Sequence, residues 1–137
     1  MSKRKSIFFV AVILILGIII TFFYLSKDLD GKWYLYNGND IDTDSNINDK
    51  INLKDYIEIS KETIKYYSGN GKDGVSNIKK IGVNKLHIGD AIFKYEIRKV
   101  DKYKILILKE VGYDNGHEKG IVENGVKEIY IFDEKTE

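Results

Sequence analysis

The chain has no cysteine and no proline, and only two histidines and one tryptophan, in 137 residues. Without cysteine there is no disulfide, no thiolate nucleophile, no thiolate metal site and no residue to carry a lipoprotein's acyl chain. The domain must be held by its apolar core alone. Without proline no strand loses a backbone donor, so the turns fall to Gly and Asn. His87, in "KLHIG", is opposite in parity to Leu86 and Ile88 and is expected to face solvent. His117, in "DNGHEKG", stands beside Asp114 and Glu118, a turn too tight for three ligands to converge on one ion. No Ser or Thr occupies a nucleophile-elbow setting. The 21 acidic residues form many pairs by chance, and nothing singles out one of them for acid–base work. The chain is read as non-enzymatic, with no catalytic residue, metal or cofactor.

What is present falls into two unequal parts. "MSKRK" is followed by nineteen uncharged residues, Ile7 to Leu25, interrupted only by Gly17, Thr21 and Tyr24 among aliphatics and Phe. As a helix rising 1.5 Å per residue this run spans roughly 28 Å, close to the ~30 Å hydrocarbon core of a bilayer. A cleavable signal would have a shorter apolar region ending in small residues, whereas this one ends in "TFFYLSKD"; a buried helix of a soluble protein is the remaining reading. The expectation is an uncleaved single-pass anchor over residues 7–26 in the cell membrane. The basic residues 1–6 stay cytoplasmic, and residues 27–137 form an extracytoplasmic domain. Residues 1–26 hold three of the 22 bases and none of the 21 acids, which leaves 19 bases against 21 acids beyond them. A nucleic-acid binder would carry a basic face, so that partner is not expected.

Beyond the anchor, Asn-Gly occurs four times, at Asn37-Gly38, Asn70-Gly71, Asn115-Gly116 and Asn124-Gly125. Both residues tolerate positive φ, as tight hairpin turns require. Asn84-Lys85, Gly89-Asp90 and Asp101-Lys102 offer further turns. Between them lie short runs rich in Ile, Val, Tyr and Phe. From Ala91 to Val100, Phe93, Tyr95 and Ile97 alternate with Lys94, Glu96 and Arg98, which predicts a half-buried strand. "YKILILKEV" is apolar on both faces around Ile105 to Leu108, which predicts a strand covered on both sides. Only "NLKDYIEISKETIKYY" competes as partial helix. The pattern predicts a mainly β domain, an antiparallel up-and-down meander or small barrel, preceded by one N-terminal helix.

Two motifs invite chemistry. Gly69, Gly71 and Gly74 spell G-x-G-x-x-G, but a phosphate fingerprint needs a following helix, and Gly82 and Asn84 break any helix there. A wide hairpin loop between the strands around Tyr66 and Ile78 is expected instead. Asp40, Asp42 and Asp44 alternate as in a calcium loop, yet Ser45 stands at position six and Ile51 at position twelve, where Gly and Glu belong. A solvated loop is the expectation, with a weak irregular calcium site as the other reading.

Trp33 is the lone tryptophan, in "LDGKWYLYNG". Gly31-x-Trp33 opening the first strand of a β meander resembles the lipocalin-like (calycin) barrels, in particular the small lipocalin-like domains of Gram-positive secreted and surface proteins. The resemblance runs from about Leu29 to Phe132 and implies that Trp33 crosses the closed end of a barrel, often under an Arg from a late strand. Arg98 is the only Arg beyond the anchor, and its parity points away from that position. On this reading the domain binds a small apolar ligand, an envelope component or a partner protein, with Trp33, Phe93, Tyr95 and Ile97 as walls. The other function class is an accessory or immunity-type protein recognising a secreted toxin or envelope enzyme through an aromatic patch of Tyr34, Tyr36, Tyr130 and Phe132. An envelope hydrolase stands third.

Overall fold

The structure is a computed structural model. It describes residues 3–27 and 29–134, and side chains for 3–18 and 29–134. Helix α1 (Lys3–Lys27) takes in the whole uncharged run. Among the described residues no helix is long and apolar enough to cross a membrane. The side chains of residues 19–26, the second half of the expected span, lie outside the described residues.

The body is all antiparallel β. Its strands are β1 (Gly31–Tyr36), β2 (Ile51–Ser60), β3 (Thr63–Ser68), β4 (Gly71–Lys80), β5 (Lys85–Ile88), β6 (Ala91–Val100), β7 (Tyr103–Asp114), β8 (Lys119–Ile121) and β9 (Lys127–Phe132). Each of β1 to β7 pairs with the next. β9 then pairs with both β7 and β1 and closes an eight-stranded barrel, while β8 is a short flap on the end of β7. Closure removes both exposed edges that an open meander would leave. The alternation of β6 is realised over the predicted span: Phe93, Tyr95 and Ile97 pack against the inner core and Lys94 and Glu96 are exposed.

Because strands alternate in direction, the barrel has two distinct ends. The chain enters β1 at the end also formed by the β2–β3, β4–β5 and β6–β7 turns. Here Leu29, Trp33, Ile59, Ile64, Leu86, Leu106 and Phe132 fill the interior. We call this the closed end, and the opposite one, where β3 meets β4 and β9 begins, the mouth.

A second cluster sits outside the barrel. Ile105 and Ile107 of β7 and Ile129 and Ile131 of β9 point outward and are covered by Ile41 and Ile47 of the β1–β2 connection. That explains why "ILIL" is apolar on both faces. The expectation of a solvated 39–50 loop holds for most of its residues but not for Ile41 and Ile47: they are 2% and 5% exposed, and burying each such side chain stabilises by about 1.5–3 kcal/mol. The loop's neck is closed by Asn37 N–H donating to Lys50 O at 2.8 Å.

One alternative is settled and one other expectation is corrected. The "NLKDYIEISKETIKYY" stretch, where partial helix competed with strand, contains no helix; it is the β2–β3 hairpin. The glycine-rich stretch is not a wide loop. Ser68 pairs with Gly71 across a tight Gly69-Asn70 turn, and Gly74 lies inside β4 opposite Tyr66. A strand follows the glycines, so no helix N-terminus meets a phosphate.

Candidate functional site

The G-x-W motif has a concrete packing reason. Gly31 has φ +133°, and a Cβ there would lie 2.5 Å from the Phe132 ring. The missing side chain lets Phe132 lie edge-on to Trp33, with ring centroids 4.9 Å apart at 64°. Trp33 is fully buried, and its Nε1–H donates to Leu29 O at 2.9 Å. The cation near this pair is Lys104 of β7, with Nζ 5.6 Å from the Trp33 ring and 4.6 Å from Phe132. Arg98 points outward, as its parity indicated, and forms a two-bond ion pair with Asp42 at 2.8 and 2.7 Å. Trp33 is thus a plug of the closed end.

The three calcium-like aspartates are each engaged by protein. Asp42 is taken by Arg98. Asp44 pairs with Lys50 at 2.7 Å and accepts a short hydrogen bond from the Tyr36 hydroxyl. Asp40 Oδ1 accepts from Asp42 N–H at 3.1 Å. Asp42 and Asp44 fasten the loop to the barrel, and Asp40 braces the loop's own backbone. Lys50 and then the Tyr36 hydroxyl hold the Asp44 carboxyl below its usual range, and burial together with Asp44 pushes the Tyr36 hydroxyl up to about 12. His87 faces outward but is half-buried, with Nε2 2.9 Å from Asp114 O; since a carbonyl only accepts, the proton is on Nε2. Among the described residues no group of three or more His, Cys, Asp or Glu could hold a metal ion.

At the mouth the interior opens into a cleft of about 270 Å³. Leu35, Ile57, Tyr66 and Tyr130 line its apolar side, and Asp55, Ser68 and Asp73 its rim. The lining includes two carboxylates and no lysine or arginine. Ser68 donates to Asp73 at 2.9 Å, and Asn52 Nδ2 donates to Asp55 at 2.8 Å, so both carboxylates are positioned. Tyr130 is buried and its hydroxyl donates to Glu128, its neighbour on the same face of β9. Burial first and Glu128 second raise the hydroxyls of Tyr130 and Tyr66, keeping both as neutral donors. Such a cleft can stack a ring or hold an apolar group while carboxylates accept from donors above it.

The expected wall residues fall elsewhere. Phe93, Tyr95 and Ile97 share the inward face of β6 and pack against the inner core, and Tyr95 donates its hydroxyl to Val83 O at 3.3 Å. The expected aromatic patch is also rearranged, because Tyr36, Tyr130 and Phe132 are buried. Tyr34 instead joins Tyr56 and Tyr67, which also border the cleft. Tyr56 and Tyr67 stack at 4.6 Å, Tyr34 meets Tyr56 edge-on at 5.8 Å, and Lys32 Nζ lies 4.0 Å from the Tyr56 ring. The cleft's signal in the sequence is Glu128: it shares the inward parity of Tyr130 and Phe132 on a strand whose remaining residues, apart from Lys127, are Ile, Tyr and Phe.

No protein-family model, no curated protein and no solved structure matches the chain. The architecture, an antiparallel eight-stranded barrel with one N-terminal helix, is compatible with a lipocalin-like barrel.

Proposed function

We propose that the chain is a membrane-anchored, extracytoplasmic, lipocalin-like binding protein without enzymatic activity, whose barrel mouth receives a small ligand bearing an apolar or aromatic group. The carrying observation is the cleft of about 270 Å³ between Leu35, Ile57, Tyr66 and Tyr130, set above a filled closed end. Its volume is just under the ~300–1,000 Å³ of ordinary small-molecule sites, which suits a compact ligand or one side chain of an envelope protein. The anchor is supported by the nineteen uncharged residues after "MSKRK" and by the exposed apolar side chains of the described part of α1, where Phe8 is 73% exposed. The basic start then lies inside and the barrel outside.

Titrating full-length protein in lipid nanodiscs with a panel of small aromatic amphiphiles, read by NMR, tests the site. Saturable shifts at Tyr66, Ser68 and Tyr130, lost in Tyr66→Ala, are expected. Shifts scattered over the outer surface and unaffected by that substitution would overturn it. Protease shaving of intact cells should remove the barrel and spare α1.

The Tyr34–Tyr56–Tyr67 stack favours a second reading, an accessory or immunity-type protein that recognises a secreted toxin or envelope enzyme, since tyrosines dominate binding hot spots. Tyr34→Ala separates the two, because Tyr34 is in the stack but not in the cleft's lining: it weakens capture of a partner protein and leaves the small-ligand shifts at Tyr66 intact.

A further inference from the structure

The β4–β5 connection is unlike the other turns of the closed end. The β2–β3 and β6–β7 hairpins turn in two residues, Lys61-Glu62 and Asp101-Lys102, whereas here Ile81 to Asn84 project as a four-residue loop. The stretch reads "KKIGVNK" from Lys79 to Lys85, three lysines and no acid. Its apolar side chains face outward: Ile81 is 44% and Val83 86% exposed. The loop is nevertheless held firmly. Ile81 N–H donates to Lys85 O at 3.1 Å, Tyr95 N–H to Asn84 O at 2.9 Å, and the Tyr95 hydroxyl to Val83 O. A loop pinned at three carbonyls presents Val83 to its surroundings at little further entropic cost.

The position of this loop identifies what covers it. The chain enters β1 at the same end, and Gly31 follows Leu25 by six residues, at most about 20 Å of extended chain. On the anchor reading proposed above, the closed end therefore stands against the outer leaflet, and the mouth faces away from it. Strands of about ten residues tilted by ~40° separate the two ends by about 25 Å. Apolar tips flanked by lysines match a bilayer interface, with Ile81 and Val83 at the acyl boundary and Lys79 and Lys85 at anionic headgroups. We infer that the β4–β5 loop is a second membrane contact, an interfacial foot that seats the closed end of the barrel on anionic lipid and keeps the mouth pointing outward.

The absence of cysteine makes the test clean, because a single introduced Cys is a unique label site. Val83→Cys and Ile121→Cys are matched in exposure, 86% and 87%, and lie at opposite ends of the barrel. Each is labelled with an environment-sensitive fluorophore in full-length protein in anionic nanodiscs containing spin-labelled lipid, beside Ile13→Cys in α1. The foot predicts quenching at residue 83 at least twofold stronger than at residue 121. Lys79→Gln with Lys85→Gln should weaken contact by up to about fivefold per lysine on anionic bilayers. Quenching at residue 13 with residues 83 and 121 alike overturns the foot and leaves the anchor standing. If residue 13 itself escapes quenching, the anchor fails and the foot falls with it.

Discussion

Trp33 and Phe132 face each other across the seam where the first strand of the barrel meets the last, their rings edge to face at 4.9 Å. The contact exists only because Gly31, two residues before Trp33, has no Cβ to occupy the space of the Phe132 ring. Gly31→Ala combines strain at φ +133° with a clash against packed aromatic carbon. It should lower stability by about 2–4 kcal/mol, a large share of the ~5–15 kcal/mol of an ordinary domain. Gly71→Ala is the control: its φ is +110°, but no atom lies within 4 Å of the added Cβ, so about 1 kcal/mol is expected. Urea unfolding followed by Trp33 fluorescence reads both, and equal losses would refute a packing role for Gly31.

Ile41 and Ile47 of the 37–50 loop behave as part of the core. Ile41→Ala should cost about 2–4 kcal/mol, because it opens a hole over Ile105 and Ile131. The Arg98–Asp42 pair is the weaker fastening. Its side chains are 36% and 50% exposed, so a double-mutant cycle should give a coupling of about 0.5–1 kcal/mol despite the two-bond geometry. A coupling larger than the Ile41→Ala loss would reverse this ranking.

Much of the barrel was legible because strand signals are local. The alternation in β6 and the doubly apolar run in β7 each follow from period two and from which faces are covered. The cover itself was not legible. Asp40, Asp42 and Asp44 look like solvated or cation-binding groups until Arg98 and Lys50, distant or unremarkable in sequence, are brought beside them. Arg98 was rightly excluded from the Trp33 end by parity, yet Lys104 could be placed there only once β7 had a register. The site was half visible for a similar reason: inward parity picks out Phe93, Tyr95 and Ile97 but does not say which end of the barrel is packed. The mouth depends on Tyr66, from a segment that also read as helix, and on Tyr130, assigned to the surface although its face of β9 is interior.

Backbone strain marks a place for stabilisation. Lys61 has φ 44°, in the left-handed region that a Cβ disfavours by about 1–2 kcal/mol. Replacing it with Gly removes that cost and adds about 0.5–1 kcal/mol of unfolded-state freedom, so Lys61→Gly should gain about 0.5–1 kcal/mol. The backbone N–H that Lys61 donates to Asp30 at 3.1 Å is retained. Asp101, at φ 54°, should gain less from the same change, because Asp tolerates this region better than Lys. Thermal midpoints of the two variants decide the order, and a destabilised Lys61→Gly would contradict it.

Alkaline pH should release the loop through Tyr36. Its hydroxyl is raised from the ordinary value near 10 to about 12, by burial and by the carboxylates of Asp44 and Asp40. A group whose folded pKa lies above its unfolded one contributes its full stabilisation below the unfolded value. That contribution is lost as pH rises through the folded value. Native protein should therefore keep the advantage of Tyr36 up to about pH 10 and lose it between about 10 and 12. Alkali acts on other groups too, so the informative quantity is the difference between native protein and Tyr36→Phe, which share those groups. Urea midpoints taken from pH 8 to 12 should show that difference constant at first and then shrinking, alongside late tyrosinate absorbance. A difference that stays constant to pH 12 would mean that the Tyr36–Asp44 hydrogen bond does not hold the loop.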